Sequence, residues 1–278
     1  WTRRKRLGTK TSSEVAAMTI HLIDISAYLH RAMHVVYGDR AATVDVNDTA
    51  LADHACTMLA NTMVKLDIRR MAVVCDSTDP SFRCDMYPKY KSGRKPHAPV
   101  FTAQSVRFFS AIKDIGVSVF SEPRYEADDL IATFAGQEHG TPYVIVSHDK
   151  DLLALVDDSR AISAYNPVAD KWLRESDVVE KFGVFCYQLY DYLGLVGDPA
   201  DGIPGVEGVG AKTAARLLKM FETIGGVYMA SEHALRSEVN KKQFDMILAS
   251  KDQAILSRML TRPVICPTLD LTGHGALW

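Results

Sequence analysis

Nine carboxylates stand where one site could gather them: Asp24, Asp76, Glu126, Asp128, Asp129, Asp149, Asp151, Asp198 and Asp201. Most of them follow short apolar runs that read as strands. In an α/β fold such strand ends open onto one crevice. Like charges crowded there repel one another and hold protons at neutral pH unless cations compensate. Hard divalent ions with oxygen ligands, Mg²⁺ or Mn²⁺, suit this ligand set. The chemistry to which it points is metal-dependent phosphodiester hydrolysis.

Two further segments bear on phosphate. Gly205, Gly208 and Gly210 permit a tight turn with close backbone approach, and the helix that follows aims its N–H groups and Lys212 at an anion. Phe82-Arg83 and the run Tyr87–Lys95 interleave basic residues with aromatics, a pattern that neutralises phosphates and stacks on unpaired bases. Each feature has a plainer reading. Acids in a first helical turn favour the macrodipole, Asp149-Lys150-Asp151 could be a turn and cap, the glycines could join two helices, and the basic run could be a solvated loop. The conjunction of all of them argues against the plainer readings.

The elements that must position these groups follow from hydrophobic patterning. Strands are expected at 19–25, 71–75, 117–120, 143–147 and 161–165, and helices at 50–65, 100–115 and 126–137. The alternation predicts a mostly parallel sheet with helices on both faces. From about Glu175 the pattern is helical, so a boundary is placed near 170: a sheet domain over 18–170 and a helical part over 171–278. Residues 1–17 are basic, lack periodicity and precede Met18; they read as a disordered extension, with a nucleic-acid-binding arm or a targeting remnant as alternatives. The 278 residues carry a net charge of −2, so nucleic-acid binding must come from local patches. Five cysteines without regular spacing read as reduced thiols in a cytosol-like compartment. No apolar run is long enough for a membrane span.

Taken together, five blocks resemble the 5′-nuclease family, which includes the 5′→3′ exonuclease domain of DNA polymerase I, phage 5′ exonucleases and flap endonucleases. They are Asp24 with Tyr28–Ala32; Cys75-Asp76 with Phe82-Arg83 and Tyr90–Arg94; Glu126–Asp129; Ser147–Asp151; and Gly197–Ala214. The resemblance implies a PIN-like nuclease domain and a C-terminal helix-hairpin-helix part. It implies one metal cluster of Asp24, Asp76, Glu126, Asp128 and Asp129, and a second of Asp149, Asp151, Asp198 and Asp201. Arg31, Lys91 and Arg94 match positions that handle the scissile phosphate. Arg83 matches one that handles the threading strand, and Tyr90 an aromatic that stacks on a base. Gly205, Gly208, Gly210 and Lys212 match a hairpin that grips duplex DNA, with a K⁺ ion on its carbonyls. Tyr87–Phe108 matches an arch over the 5′ strand, expected to be disordered without DNA. The implied substrate is DNA with a 5′ flap, nick or free 5′ end, with RNA–DNA hybrids a further candidate. The implied protein is monomeric, in a bacterial or phage-infected cytosol, with organelle targeting left open. Departures are Ile25, Gly202 and the shortened Ser147-His148-Asp149. A PIN-type ribonuclease would lack Asp198, Asp201 and the 205–210 turn. A non-catalytic binder of branched DNA would have lost acids, and none is missing.

Overall fold

The computed structural model describes residues 18–137 and 140–269, so the expectation for 1–17 lies outside the described residues. Six strands, β1 (Ile20–Asp24), β2 (Met71–Val74), β3 (Val119–Phe120), β4 (Tyr143–Val146), β5 (Ile162–Asn166) and β6 (Lys171–Leu173), form one sheet in the order β3-β2-β1-β4-β5-β6. The first five are parallel and β6 runs antiparallel to β5. The strand order reverses between β1 and β4, which makes their carboxyl ends the expected crevice of an open α/β sheet.

The helices, in chain order, are α1 (Ile25–Val36), α2 (Ala50–Lys65), α3 (Arg83–Met86), α4 (Pro99–Asp114), α5 (Ala127–Gln137), α6 (Glu175–Phe182), α7 (Leu189–Val196), α8 (Ala211–Phe221), α9 (Ile224–Met229), α10 (Glu232–Glu238), α11 (Lys241–Ala249) and α12 (Lys251–Thr261). Side chains alternate across a strand, and each central strand therefore feeds two cores. Ile20, Leu22, Val74 and Ile145 pack toward α5 and the C-terminal helices through Leu130, Phe134, Leu189 and Leu217. Ile23, Met71, Val73 and Val146 pack toward α1, α2 and α4 through Tyr28, Leu51 and Phe108. Burial on both faces explains why these strands read as unbroken apolar runs.

Three expectations need correction. The sheet does not end near 170: β6 continues it to Leu173, in an edge strand too short for periodicity to reveal. The segment from Tyr87 to Phe108 is ordered: Tyr90 is buried against Ile203 and Leu260, and Val100 and Phe108 are core residues of α4. β1 also stops at Asp24, because the Asp24 carboxylate accepts the Ala27 N–H and turns the chain into α1 at Ile25.

Candidate metal centre and nucleic-acid interface

Adjacent strands lie about 5 Å apart, so the carboxyl ends of β2, β1 and β4 bring Asp76, Asp24 and Asp149 together. Each acid is held by the local backbone. Asp76 accepts the Ala127 N–H that opens α5, at 2.9 Å. Asp24 accepts the Ser147 hydroxyl at 2.7 Å, and that hydroxyl in turn accepts the Asp149 N–H at 2.9 Å. Asp149 accepts the Asp151 N–H at 2.9 Å. With Glu126, Asp128 and Asp201 these residues line a cleft of about 250 Å³ whose walls also include His30, Tyr90, Lys91, Arg94 and His148.

The electrostatics divide the acids into two overlapping groups. Burial, then Asp76 and Asp149, lift the Asp24 carboxyl to about 7 against the pull of Ser147. Burial, then Asp149, Asp24 and Asp76, hold Asp128 well above the usual carboxylate range. Burial, then Asp149, Asp198 and Asp201, lift Asp151 to about 7, with Lys150 opposing. Asp149 acts on both groups and is their common member.

Basic residues already hold part of this set. Lys91 pairs with Glu126 at 2.9 Å, Arg94 with Asp201 at 2.5 Å, and Lys150 with Asp198 at 2.5 Å. Burial presses Lys91 to give up its proton, but Glu126 and Asp201 outweigh it and hold the ammonium above its usual value. Burial likewise works to raise Asp198, and the Lys150 ammonium with the Ala200 and Asp201 N–H groups outweighs it, leaving the carboxyl below its usual range. Among the described residues, no three acidic, histidine or cysteine side chains already surround a single point. The donors nevertheless fit hard divalent ions: they are all carboxylate oxygens, several are buried, and the raised Asp24, Asp128 and Asp151 mark a negative charge that the basic residues do not fully offset.

The 87–94 segment is positioned from the opposite wall. The Lys91 N–H donates to the Asp201 carbonyl at 2.8 Å, and Lys91 has φ of 52°. Gly202 has φ of 70°, and a Cβ there would sit 2.5 Å from the Lys89 carbonyl oxygen. The glycine at this departure from the family pattern is therefore required by backbone contact.

Several expected site residues lie off the cleft, and two that line it, Arg83 and Tyr90, are committed to partners within the protein. Asp129 is fully buried and pairs with Arg83, whose guanidinium donates to both carboxylate oxygens at 2.7 and 2.8 Å. Arg83 also donates to the Leu260 and Arg262 carbonyls, at 2.9 and 3.0 Å. Asp129 is thus an interior counter-ion and Arg83 a cross-brace; neither is free for metal or a strand. Glu126 precedes α5, and its N–H donates back to the Asp129 carboxylate at 3.0 Å. Tyr90 offers no open face for a base, since its ring packs on Ile203 and Leu260 and its hydroxyl donates to Glu126 at 2.9 Å. Arg31 is exposed on α1 and does not line the cleft. Asp198 caps the turn 199–201 through the Ala200 N–H and also lies off the cleft lining. In the glycine turn, Gly205 and Gly208 take positive φ, whereas Gly210 has φ of −91° and serves as the N-cap of α8, with Lys212 exposed in its first turn.

Two features of the site were missed in the sequence. Ser147 links Asp24 to Asp149, and a hydroxyl at the end of β4 was the only local signal. His30, Phe101 and His97 form a ring pile in which Phe101 lies 4.8 Å from His30 and 4.5 Å from His97. It stands at the cleft because His30 lines it, and His97 is exposed. Spacing alone could not join residues from α1, α4 and the loop before α4.

Residues 19–183 match the family described as the 5'-3' exonuclease N-terminal resolvase-like domain, and residues 184–270 the 5'-3' exonuclease C-terminal SAM fold. The chain is 33% identical to DNA polymerase I of Rhizobium leguminosarum over 261 residues, 91% of this chain and 25% of that protein. It is 30% identical to the 5'-3' exonuclease of Buchnera aphidicola subsp. Acyrthosiphon pisum, over 74% of this chain and 72% of that one. The chain thus spans about a quarter of the length of its polymerase relatives. Among solved structures, the T5 D15 protein co-crystallised with metal ions shares the fold with a TM-score of 0.69 at 20% identity, over 87% of this chain and 89% of that one. The catalytic core of Rad2 in complex with DNA substrate does so with a TM-score of 0.58 at 14% identity, over 95% and 84%. With both halves of the family matched in order across the strand-end carboxylates and the glycine turn, the chain belongs to the 5'-3' exonuclease family.

Proposed function

We propose that this chain is a metal-dependent, structure-specific 5′ nuclease that hydrolyses DNA at flaps, nicks and free 5′ ends. The observation that carries the reading is the convergence of Asp24, Asp76, Glu126, Asp128, Asp149, Asp151 and Asp201 on one cleft, where burial and mutual repulsion hold Asp24, Asp128 and Asp151 above the usual carboxylate range. Asp24, Asp76, Glu126 and Asp128 would hold one Mg²⁺ or Mn²⁺ ion; Asp149, Asp151 and Asp201 would hold the second. When bound, such ions supply an activated water and stabilise the leaving oxygen.

The chain's own residues do the rest. Lys91 and Arg94, now paired with Glu126 and Asp201, lie where they can turn to the scissile phosphate once ions neutralise those acids, and there they offset the growing charge. The exposed His97 face of the ring pile offers a stacking surface that the buried Tyr90 does not. The 205–210 turn and the N–H groups of α8, with Lys212, bind the phosphates of the duplex arm, so shape is read rather than sequence. Cleavage leaves a 5′-phosphate on the downstream fragment and a 3′-hydroxyl on the other.

The test is cleavage of a 5′-labelled flap duplex with Mg²⁺, beside EDTA and Asp149→Asn. Cutting near the junction that disappears in both controls is expected. Flap binding without cleavage in Mg²⁺ or Mn²⁺ would replace the enzyme with a branched-DNA-binding protein.

A further inference from the structure

A second cavity, of about 520 Å³, lies behind the acid cleft. Three of its lining residues place it there. Ala132 stands one helical turn from Asp128 on α5, Leu155 closes the 3₁₀ turn that Asp151 opens, and Arg262 adjoins Thr261 of the cleft. Tyr190, in the first turn of α7, lines this cavity and not the cleft, and α7 packs against the turn 151–155.

Two oxygens in this wall are incomplete. The Tyr190 hydroxyl and Asp151 Oδ1 are both closed to solvent, and neither has a hydrogen-bond partner among the described residues. Where water does not reach, such atoms are costly, and only a protein group can complete them. The two are complementary, since a hydroxyl can donate and a carboxylate oxygen only accepts. Burial, then the charges of Asp128 and Asp151, raise the Tyr190 hydroxyl far above its usual value, with Arg262 opposing, so it keeps its proton and stays a donor.

The neighbouring acids already have such support. Asp24 is held by the Ser147 hydroxyl, Asp76 by the Ala127 N–H and Asp149 by the Asp151 N–H. A carboxylate that ligates a metal through one oxygen is ordinarily fixed by a hydrogen bond from behind. Asp151 lines the cleft yet has no donor on its buried oxygen. We infer that Tyr190 is a positioning residue for the metal centre, the donor that closes on Asp151 Oδ1 when the outer oxygen of that carboxylate ligates. The inference rests on the metal-centre reading proposed above.

The intact protein, without DNA, is titrated with Mn²⁺ by calorimetry beside Tyr190→Phe, which keeps the ring and drops only the hydroxyl. At least one Mn²⁺ dissociation constant should rise about tenfold. In EDTA the urea midpoint of Tyr190→Phe should equal or exceed that of the unaltered protein, because the hydroxyl has no partner there to lose. In flap cleavage, half-saturating Mg²⁺ should rise about tenfold while the rate at saturating Mg²⁺ stays within about threefold. Added to Asp151→Asn, Tyr190→Phe should weaken Mn²⁺ binding by less than about twofold. Mn²⁺ constants of the single variant within about twofold of the unaltered protein would overturn the inference. So would a midpoint that falls in EDTA, which would make the hydroxyl a brace of the ion-free fold, or a full tenfold loss on top of Asp151→Asn, which would give it another acceptor. An unaltered protein that takes up no Mn²⁺ would sink the metal centre itself, an outcome distinct from equal uptake by the two proteins.

Discussion

Replacing Arg83 is the most direct test of whether it braces the fold or touches DNA. Its guanidinium makes four hydrogen bonds, two to Asp129 at 2.7 and 2.8 Å and one each to the Leu260 and Arg262 carbonyls. Arg83→Met keeps the apolar stem but leaves Asp129 with only the Glu126 and Val264 N–H groups, at 3.0 and 2.7 Å. Removing one partner of a buried pair costs about 3–5 kcal/mol, a large part of a typical stability of roughly 5–15 kcal/mol. Urea unfolding followed by fluorescence should show the midpoint falling with little change in slope. Asp129→Asn should cost a similar amount. The double variant Arg83→Met/Asp129→Leu should lose less than the sum, by about 2 kcal/mol or more, because no charge is then stranded. An unmoved midpoint together with weakened DNA binding would refute the brace and return Arg83 to the strand path.

Ionising Asp24 and Asp151, raised from 3.8 to about 7, costs at most roughly 4 kcal/mol each. The stabilising effect of their protons is complete below the unfolded value and is lost as pH rises toward 7. In EDTA the melting temperature should therefore fall between pH 5 and pH 8, and Mg²⁺ should restore it at pH 8 far more than at pH 5; equal gains at both would contradict the account. Gly202→Ala forces a Cβ to 2.5 Å from the Lys89 carbonyl, so single-turnover cleavage should drop at least about tenfold, with roughly 1–3 kcal/mol lost in urea. Wild-type rates would mean that the 87–94 segment need not sit where it does. Tyr90→Leu should leave affinity for a single-stranded 5′ tail within about twofold, since the ring is buried and a stacked base is worth about 1–3 kcal/mol. A much larger loss would mean the ring swings out.

The central part of the site was legible because it depends on local pattern: apolar runs ending in Asp24, Asp76 and Asp149 are strand ends wherever the strands are parallel. α2 begins and ends at the residues its periodicity indicates, Ala50 and Lys65. What failed depends on partners far along the chain. Nothing near Arg83 or Tyr90 announces that Leu260 will cover both. Asp129 stands beside Asp128 in the implied cluster, and nothing local tells that Arg83 will pair with one and leave the other to the cleft. The 87–108 segment was expected to be disordered without DNA, yet Gly202 lets it seat against the opposite wall.

The closing of the cleft by residues at the far end of the chain also bears on how the protein is made. Leu260 and Thr261 form part of its lining, and the Arg83–Leu260 hydrogen bond spans 177 positions. At about 5–20 residues per second, roughly 10–35 s of synthesis separate the two partners. Throughout that interval the acids of β1 and β2 have emerged without their wall, and Arg83 without the carbonyls that hold it. A ribosome-bound intermediate therefore carries these acids without the finished cleft, which closes only when α12, the helix that bears Leu260, docks.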